Sequence, residues 1–271
     1  MTDNNVAVIM SVYHSDDPQM FKDAINSILY QSISCTLLIY RDGILPEPLN
    51  VVLESYSENK NVYIIRNDVN QGLATGLNTL IDFAIKKGFK YIARMDSDDI
   101  SRPQRLKVQL NFLESNTDID VLGTSCREFG ASFALKEKHL PTSHDELKDF
   151  SITRCPFIHP TVVFRRRVFD KGYRYPIHTT FTEDMALWFD LLNAGFKFSN
   201  INEVLLDYRL SENTVNRRKG IKKALSEIKV RFHNMISLKQ VSVWNVTMIF
   251  ARIIFHLMPN FLVKLAYKNA R

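Results

Sequence analysis

Four apolar runs alternating with amphipathic stretches over the first hundred residues constrain this chain more than any other feature. Residues 6–12 are continuously apolar except for Ser11, the pattern of a strand covered on both faces. Similar runs fall at 35–40, 62–65 and 90–94. Between the first two, Asp17 and Pro18 open a helix as N-cap and first helical residue, and Phe21, Ala24, Ile25, Ile28 and Leu29 recur at helical spacing. Further helices are expected at 49–56 and 72–87, the second closed by Gly88. Strict alternation of this kind describes an α/β chain with a doubly wound, mostly parallel central sheet and helices on both faces. Ligands of such sheets bind beyond the carboxyl ends of strands. Tyr13, Asp42, Arg66 and Asp96 fall at such ends.

The acids that end the fourth run carry the most chemistry. Met95-Asp96-Ser97-Asp98-Asp99 follows the strand directly. Residues i and i+2 of a strand share a side, so Asp96 and Asp98 are expected to converge, with Asp99 turned away or already in the loop. Clustered carboxylates repel unless a cation lies between them, and Mg²⁺ or Mn²⁺ takes oxygen ligands while keeping positions for substrate phosphates. The plainer reading is a loop that caps the next helix through Asp99 or Ser101.

After a helix at 102–114 the rhythm loosens. Strands are expected at 119–123, 161–165 and 204–208, and a short helix near 145–150. Thr182 reads as the N-cap of a helix whose first turn holds Glu183 and Asp184 and whose apolar face is Met185, Leu187, Trp188, Leu191 and Leu192. Those two acids could supply a general base or simply complement the helix dipole. Asp42 could accept a hydrogen bond from a base or ribose, or shape the turn that Gly43 completes. Asn70-Gln71-Gly72-Leu73-Ala74 lies at a helix start, where free amides favour an anion. His159, followed by Pro160 among apolar residues, reads more readily as structural than catalytic. No glycine-rich phosphate loop ending in Gly-Lys-Ser or Gly-Lys-Thr is present, nor Gly-x-Gly-x-x-Gly after the first strand, which excludes P-loop enzymes and Rossmann dehydrogenases.

Taken in order, Ser11-Val12-Tyr13, Asp42-Gly43, Asn70-x-Gly72-Leu73-Ala74, Asp96-x-Asp98-Asp99 and Glu183-Asp184 resemble the family 2 glycosyltransferases of the GT-A fold. The likeness covers about residues 6–210. It is closest to the branch that builds bacterial surface polysaccharides, through Asp96-Ser97-Asp98-Asp99-Ile100-Ser101-x-Pro103-x-Arg105-Leu106, His159-Pro160-Thr161 and Phe164-Arg165. The resemblance implies inverting transfer of a single sugar from a nucleotide-diphosphate sugar, usually a uridine one. The acceptor would be a saccharide hydroxyl, on a polyprenyl-diphosphate carrier or another saccharide acceptor. Tyr13 and Asp42 would hold the base, with Val12, Arg66, Asn70 and Gly72 around the donor. Asp96 would contact ribose or metal, Asp98 would ligate Mn²⁺ or Mg²⁺, and Asp184 would deprotonate the acceptor, with Glu183, Asp99, His159 and Arg209 as secondary candidates.

Two departures stand out: a lone Asp42 follows Arg41 where the family often has paired acids, and Arg209 precedes Leu210-Ser211 where many members carry Arg-x-His. The Gln-x-x-Arg-Trp motif of processive synthases is absent. The competing readings are a catalytically inactive, nucleotide-binding membrane module and a sugar nucleotidyltransferase. Intact Asp96, Asp98 and Asp184 oppose the first, and the missing glycine-rich signature opposes the second.

The expected organisation is a catalytic domain over 1–212, divided near residue 100 into donor and acceptor halves, and a helical extension over 213–271. Net charge is +6, but residues 209–271 hold 13 Lys or Arg against Glu212 and Glu227, leaving the body at −5. In the extension Ile221, Ala224, Leu225, Ile228, Phe232, Met235 and Ile236 form a stripe. The apolar run 243–258 is shorter than the roughly 20 residues of a spanning helix. A helix pair lying on an anionic membrane is expected, the alternative being a pair packed on the domain with charges in water. No nucleic-acid partner is expected. Three scattered cysteines and the lack of a basic leader suggest a cytoplasmic protein, peripheral on the inner membrane face.

Overall fold

The computed structural model describes residues 5–179, 182–214 and 221–258. Its centre is an eight-stranded sheet of order β3-β2-β1-β4-β7-β6-β8-β5. The first four strands, β1 (Val6–Tyr13), β2 (Thr36–Asp42), β3 (Val62–Asn67) and β4 (Tyr91–Arg94), are mutually parallel. Between them run α1 (Pro18–Leu29), α2 (Glu47–Glu54) and α3 (Leu73–Lys86). In β1, Ala7 and Ile9 enter one core with Leu77, Leu80 and Ile81 of α3. Val6, Val8, Met10 and Val12 enter the other, with Phe21 of α1 and Leu49 of α2. Period-two alternation with both sides apolar is why β1 reads as an unbroken run. β2 and β3 lie on one side of β1 and β4 on the other, so the winding reverses there and the carboxyl ends of β1 and β4 open a crevice.

The second half completes the sheet with β5 (Ile100–Ser101), β6 (Val121–Phe129), β7 (Val163–Arg165) and β8 (Phe198–Arg209). β7 is antiparallel to β4 and β6, β6 and β8 are parallel, and β5 is antiparallel to β8. The expected mostly parallel sheet is present. β6 and β8 run well beyond 119–123 and 204–208, because their polar residues pair with each other across two register shifts. The two-residue β5 gives no periodic signal at all.

The helices here are α4 (Arg105–Ser115), α5 (His144–Thr153), α6 (Arg167–Asp170) and α7 (Glu183–Asn193). Asp17 caps α1 as expected, accepting from the amides of Gln19 and Met20 at 2.9 Å each. Two other capping expectations are corrected. Gln104 occupies the cap position of α4, so neither Asp99 nor Ser101 caps it. Thr182 stands at the N-cap of α7 but its buried hydroxyl makes no capping bond.

Gly76 sets how closely α3 approaches the sheet. A Cβ there would lie 2.6 Å from Cδ1 of Tyr40 and 3.1 Å from Oγ of Ser11. Tyr40 cannot easily yield, since its hydroxyl accepts from Nδ2 of Asn67 at 2.9 Å. Gly76→Val is therefore expected to destabilise the fold by about 1–3 kcal/mol through overpacking, read as a lower Tm in thermal denaturation.

The C-terminal extension forms α8 (Ile221–Ser237) and α9 (Val243–Leu257), which pack on each other and on α5, with α8 also meeting α7. Met235, Leu238 and Ile249 join the core. Buried Arg231 donates to the carbonyls of Ser151 and Ile152 at 2.9 and 3.0 Å, satisfying the last turn of α5. Glu227 pairs with it at 3.0 Å and with Arg252 at 2.6 Å. Glu227→Gln would leave two guanidinium groups facing each other without their anion. The expected loss is about 3 kcal/mol, seen as a lower urea midpoint and faster hydrogen exchange across α8 and α9. Within the described residues, no helix is long and apolar enough to cross a membrane.

Candidate active site

The acidic loop begins where β4 ends at Arg94, so Asp96 and Asp98 converge as loop residues rather than as strand neighbours. Asp99 is not turned away. It is fully buried, and the carboxylates of Asp96, Asp98 and Asp99 bring oxygens within 4.8 Å of one another. Such a cluster needs compensation. Arg94, 2% exposed, forms an ion pair with Asp96. From the end of β8, Arg209 donates its amide to Oδ1 of Asp99 at 2.7 Å and its Nε to the carbonyl of Asp98 at 2.7 Å.

The balance remains anionic. Burial first, and then Asp96 and Asp16, push Asp98 up to about 6 against the pull of Arg94 and Arg209. Burial and then its two acidic neighbours hold Asp99 well above the usual carboxylate range. Its Oδ2 is buried without a hydrogen-bond partner. Convergent, hard and under-compensated oxygens are the donor set that a divalent cation fits.

The loop after β1 closes one side. Tyr13 is at the rim, its amide donating to Oδ2 of Asp16 at 3.1 Å, and the same oxygen accepts from Oγ of Ser97 at 2.9 Å. Asp16 thus ties the β1 loop to the acidic loop. Val12 is different: its side chain is in the core, so only its backbone can face a ligand.

Asp42 is buried at the end of β2, where its two oxygens accept from the amides of Gln71 at 2.7 Å and Gly72 at 3.0 Å. These are the amides at the start of α3, where an anion is favoured, and an internal carboxylate meets them. Asn70 joins the clamp through Nδ2 to the carbonyl of Asp42 at 3.3 Å. Arg66 is engaged elsewhere. Its guanidinium holds Glu54 of α2 with three contacts to that carboxylate, at 2.7, 3.0 and 3.3 Å, because it shares a sheet face with Arg41 and points toward α2.

His159 and Tyr175 build the opposite wall. Nε2 of His159 is 2.8 Å from the Tyr175 hydroxyl, and its ring meets that of Trp188 edge-on at 6.0 Å. Burial and then Arg94 hold the imidazole well below its ordinary pKa, which favours the uncharged ring. The buried Tyr175 phenol is pushed up by burial and lies within the fields of Arg94, Asp184, Glu183 and Asp96. It therefore lies near both the acidic loop and the start of α7. Asn78 of α3 fixes this tyrosine through both of its backbone groups, at 2.8 Å each. In the first turn of α7, Oδ1 of Asp184 accepts from the amide of Met185 at 2.7 Å, and Cys155 Sγ lies 3.9 Å from Oδ2.

The model of glycosyl transferase family 2 matches residues 7–173. The chain belongs to this family. It is 34% identical over 259 residues to the UDP-Gal:alpha-D-GlcNAc-diphosphoundecaprenol beta-1,3-galactosyltransferase of Escherichia coli, covering 92% of this chain and 91% of the relative. It is 28% identical to the amylovoran biosynthesis glycosyltransferase AmsE of Erwinia amylovora, covering 98% of each. Among solved structures, residues 1–349 of S. aureus TarS with UDP-GlcNAc superpose with a TM-score of 0.66 at 15% identity, over 86% of this chain and 70% of that one. The mannosyltransferase PcManGT of Pyrobaculum calidifontis, with GDP-Man and Mn²⁺, gives 0.64 at 12%, over 92% and 74%. The fold of this family 2 glycosyltransferase is therefore GT-A. Three members of its site escaped the sequence reading: Asp16, Arg94 and Tyr175. Asp16 and Arg94 offered only their position near a motif, and Tyr175 offered no signal.

Proposed function

We propose that the chain is an inverting, non-processive glycosyltransferase that moves one sugar from a UDP-sugar to a hydroxyl of a saccharide in bacterial surface polysaccharide synthesis, with a lipid-diphosphate-linked acceptor. The observation that carries this reading is the anionic Asp96-Asp98-Asp99 cluster at the β1/β4 switch point, under-compensated by Arg94 and Arg209. Asp98 and Asp96 would hold Mn²⁺ or Mg²⁺. Bound there, the cation would offset charge on a diphosphate leaving group.

The chain's own residues do the remainder. Tyr13, exposed at the rim of the crevice, offers a ring to a base. Asp42 fixes the loop 70–72 that borders it and turns that loop's amides inward. Arg94 orients Asp96 from beneath. At the start of α7, Asp184 takes the proton of the acceptor hydroxyl while its oxygen forms the new bond to the anomeric carbon and the bond to the diphosphate breaks. One displacement inverts the centre and requires no covalent nucleophile.

The names of the two relatives support a nucleotide-sugar donor and a polysaccharide context. A screen of nucleotide sugars, following release of nucleoside diphosphate with and without Mn²⁺, tests the reading. Metal-dependent release from a UDP-sugar, stimulated by a diphospholipid-linked saccharide, is expected. Release that ignores both metal and acceptor would overturn it.

A further inference from the structure

The amphipathic stripe of α8 is split, and not in the way a solvent-facing helix requires. Its inner face carries Glu227, Arg231 and Asn234 beside Ala224 and Met235, all buried. The outer face carries Leu225, Phe232 and Ile236, all exposed, with exposed Lys229 between them. These four are at i, i+4, i+7 and i+11, one row of the helix surface. The row continues chemically into the turn and α9 through Val241, Val243, Trp244 and Phe250, each at least half exposed. Val243 reaches 86% and Trp244 69%. Seven large apolar side chains exposed on one packed helix pair are a concentration that marks an interaction surface.

Charge selects the occupant. Between residues 213 and 271 the sequence contains one acid, Glu227. That acid is on the inner face and paired with Arg231 and Arg252. The outer face therefore presents apolar groups with Lys229 and Lys239 and no anion. A second copy docking by two-fold symmetry would set the same lysine-bearing face against itself. An anionic bilayer answers both features, since the apolar row enters the acyl boundary while the ammonium groups meet lipid phosphates. An exposed tryptophan at the junction suits the interfacial layer.

We infer that the outer face of α8 and α9, from Leu225 to Phe250, is a membrane-docking surface that lies on anionic lipid without crossing it. This uses a surface separate from the acidic loop, so it stands or falls independently of the donor and base assignments. Packing against α5 also means that docking leaves the helix pair seated on the domain.

Vesicle flotation of the full chain tests it, using phosphatidylglycerol and phosphatidylcholine vesicles at low and high salt. Binding to phosphatidylglycerol alone, weakened by salt, is expected. Trp244→Glu with Phe250→Glu should reduce binding at least about tenfold, since both removes apolar contact and adds like charge to the anionic surface. Lys229→Gln with Lys239→Gln should weaken it by roughly fivefold per lysine. Because all four side chains are exposed, circular dichroism and metal-dependent donor release should match the parent, which separates lost docking from lost folding. Failure of the parent to float at low salt would overturn the inference. So would variants that float like the parent, or a lipid-free dimer that Trp244→Glu dissociates.

Discussion

Asp98→Ala should bring sugar transfer to the assay background, a loss of at least about 10², the scale on which one group stabilising developing charge is felt. The same change should leave the fold intact. Three carboxylates with oxygens within 4.8 Å repel one another, and burial removes the water that would screen them. Deleting one relieves that repulsion, so in chelator the variant should melt at or above the parent's temperature. Addition of Mn²⁺ should raise the Tm of the parent and not of the variant, because a ligand stabilises only the state that binds it. Thermal shift with and without metal, alongside the transfer assay, makes both comparisons. Full activity in Asp98→Ala, or in the parent under excess chelator, would remove Asp98 from the proposed role.

A second large effect is expected at the start of α7. Asp184→Asn should lower kcat by about 10² to 10⁴, the usual contribution of a general base. Donor affinity should hardly change, because the base acts on the acceptor. Asparagine preserves the size of the side chain and keeps an oxygen that can accept from the amide of Met185, at 2.7 Å in the parent, so the helix start should survive. Isothermal titration with the nucleoside diphosphate, paired with single-turnover transfer, distinguishes the outcomes. Weakened donor binding with preserved turnover would move the base elsewhere, with Glu183 next in line.

The first hundred residues were legible because β1, β2 and β4 are buried on both faces and their pattern is set locally. Asp17 could be read as a cap for the same reason: its partners are two and three residues away. The site was legible only in outline. The Asp96-Asp98 spacing pointed to the right loop, but the burial of Asp99 depends on Arg209, 110 residues later. Ser97 reaches Asp16 across 81 residues. Tyr175 carries no motif and joins the site only through its nearness in space to Arg94 and Asp184. Asp42 was read as meeting a ligand or shaping its turn, and no local rule says that the amides at 71 and 72 would be met by its carboxylate. In the C-terminal helices, hydrophobic periodicity found the stripe but assigned its halves to one face. The polar inner face of α8 follows from the open carbonyls of α5, invisible from the extension's own sequence.

The double tie of the acidic loop bears on how the molecule comes to be. Ser97 is held by the loop after β1 and Asp99 by the last residue of β8, so the carboxylates cannot take up their arrangement until both β1 and β8 have joined the sheet. Contacts of such sequence separation form late, because the closure entropy of a long loop must be met before they reward the chain. On refolding, helical circular dichroism should return before Mn²⁺ affinity does. A chain still emerging from the ribosome would then possess most of its sheet while remaining unable to grip a metal, and its chemistry would begin only with completion of β8.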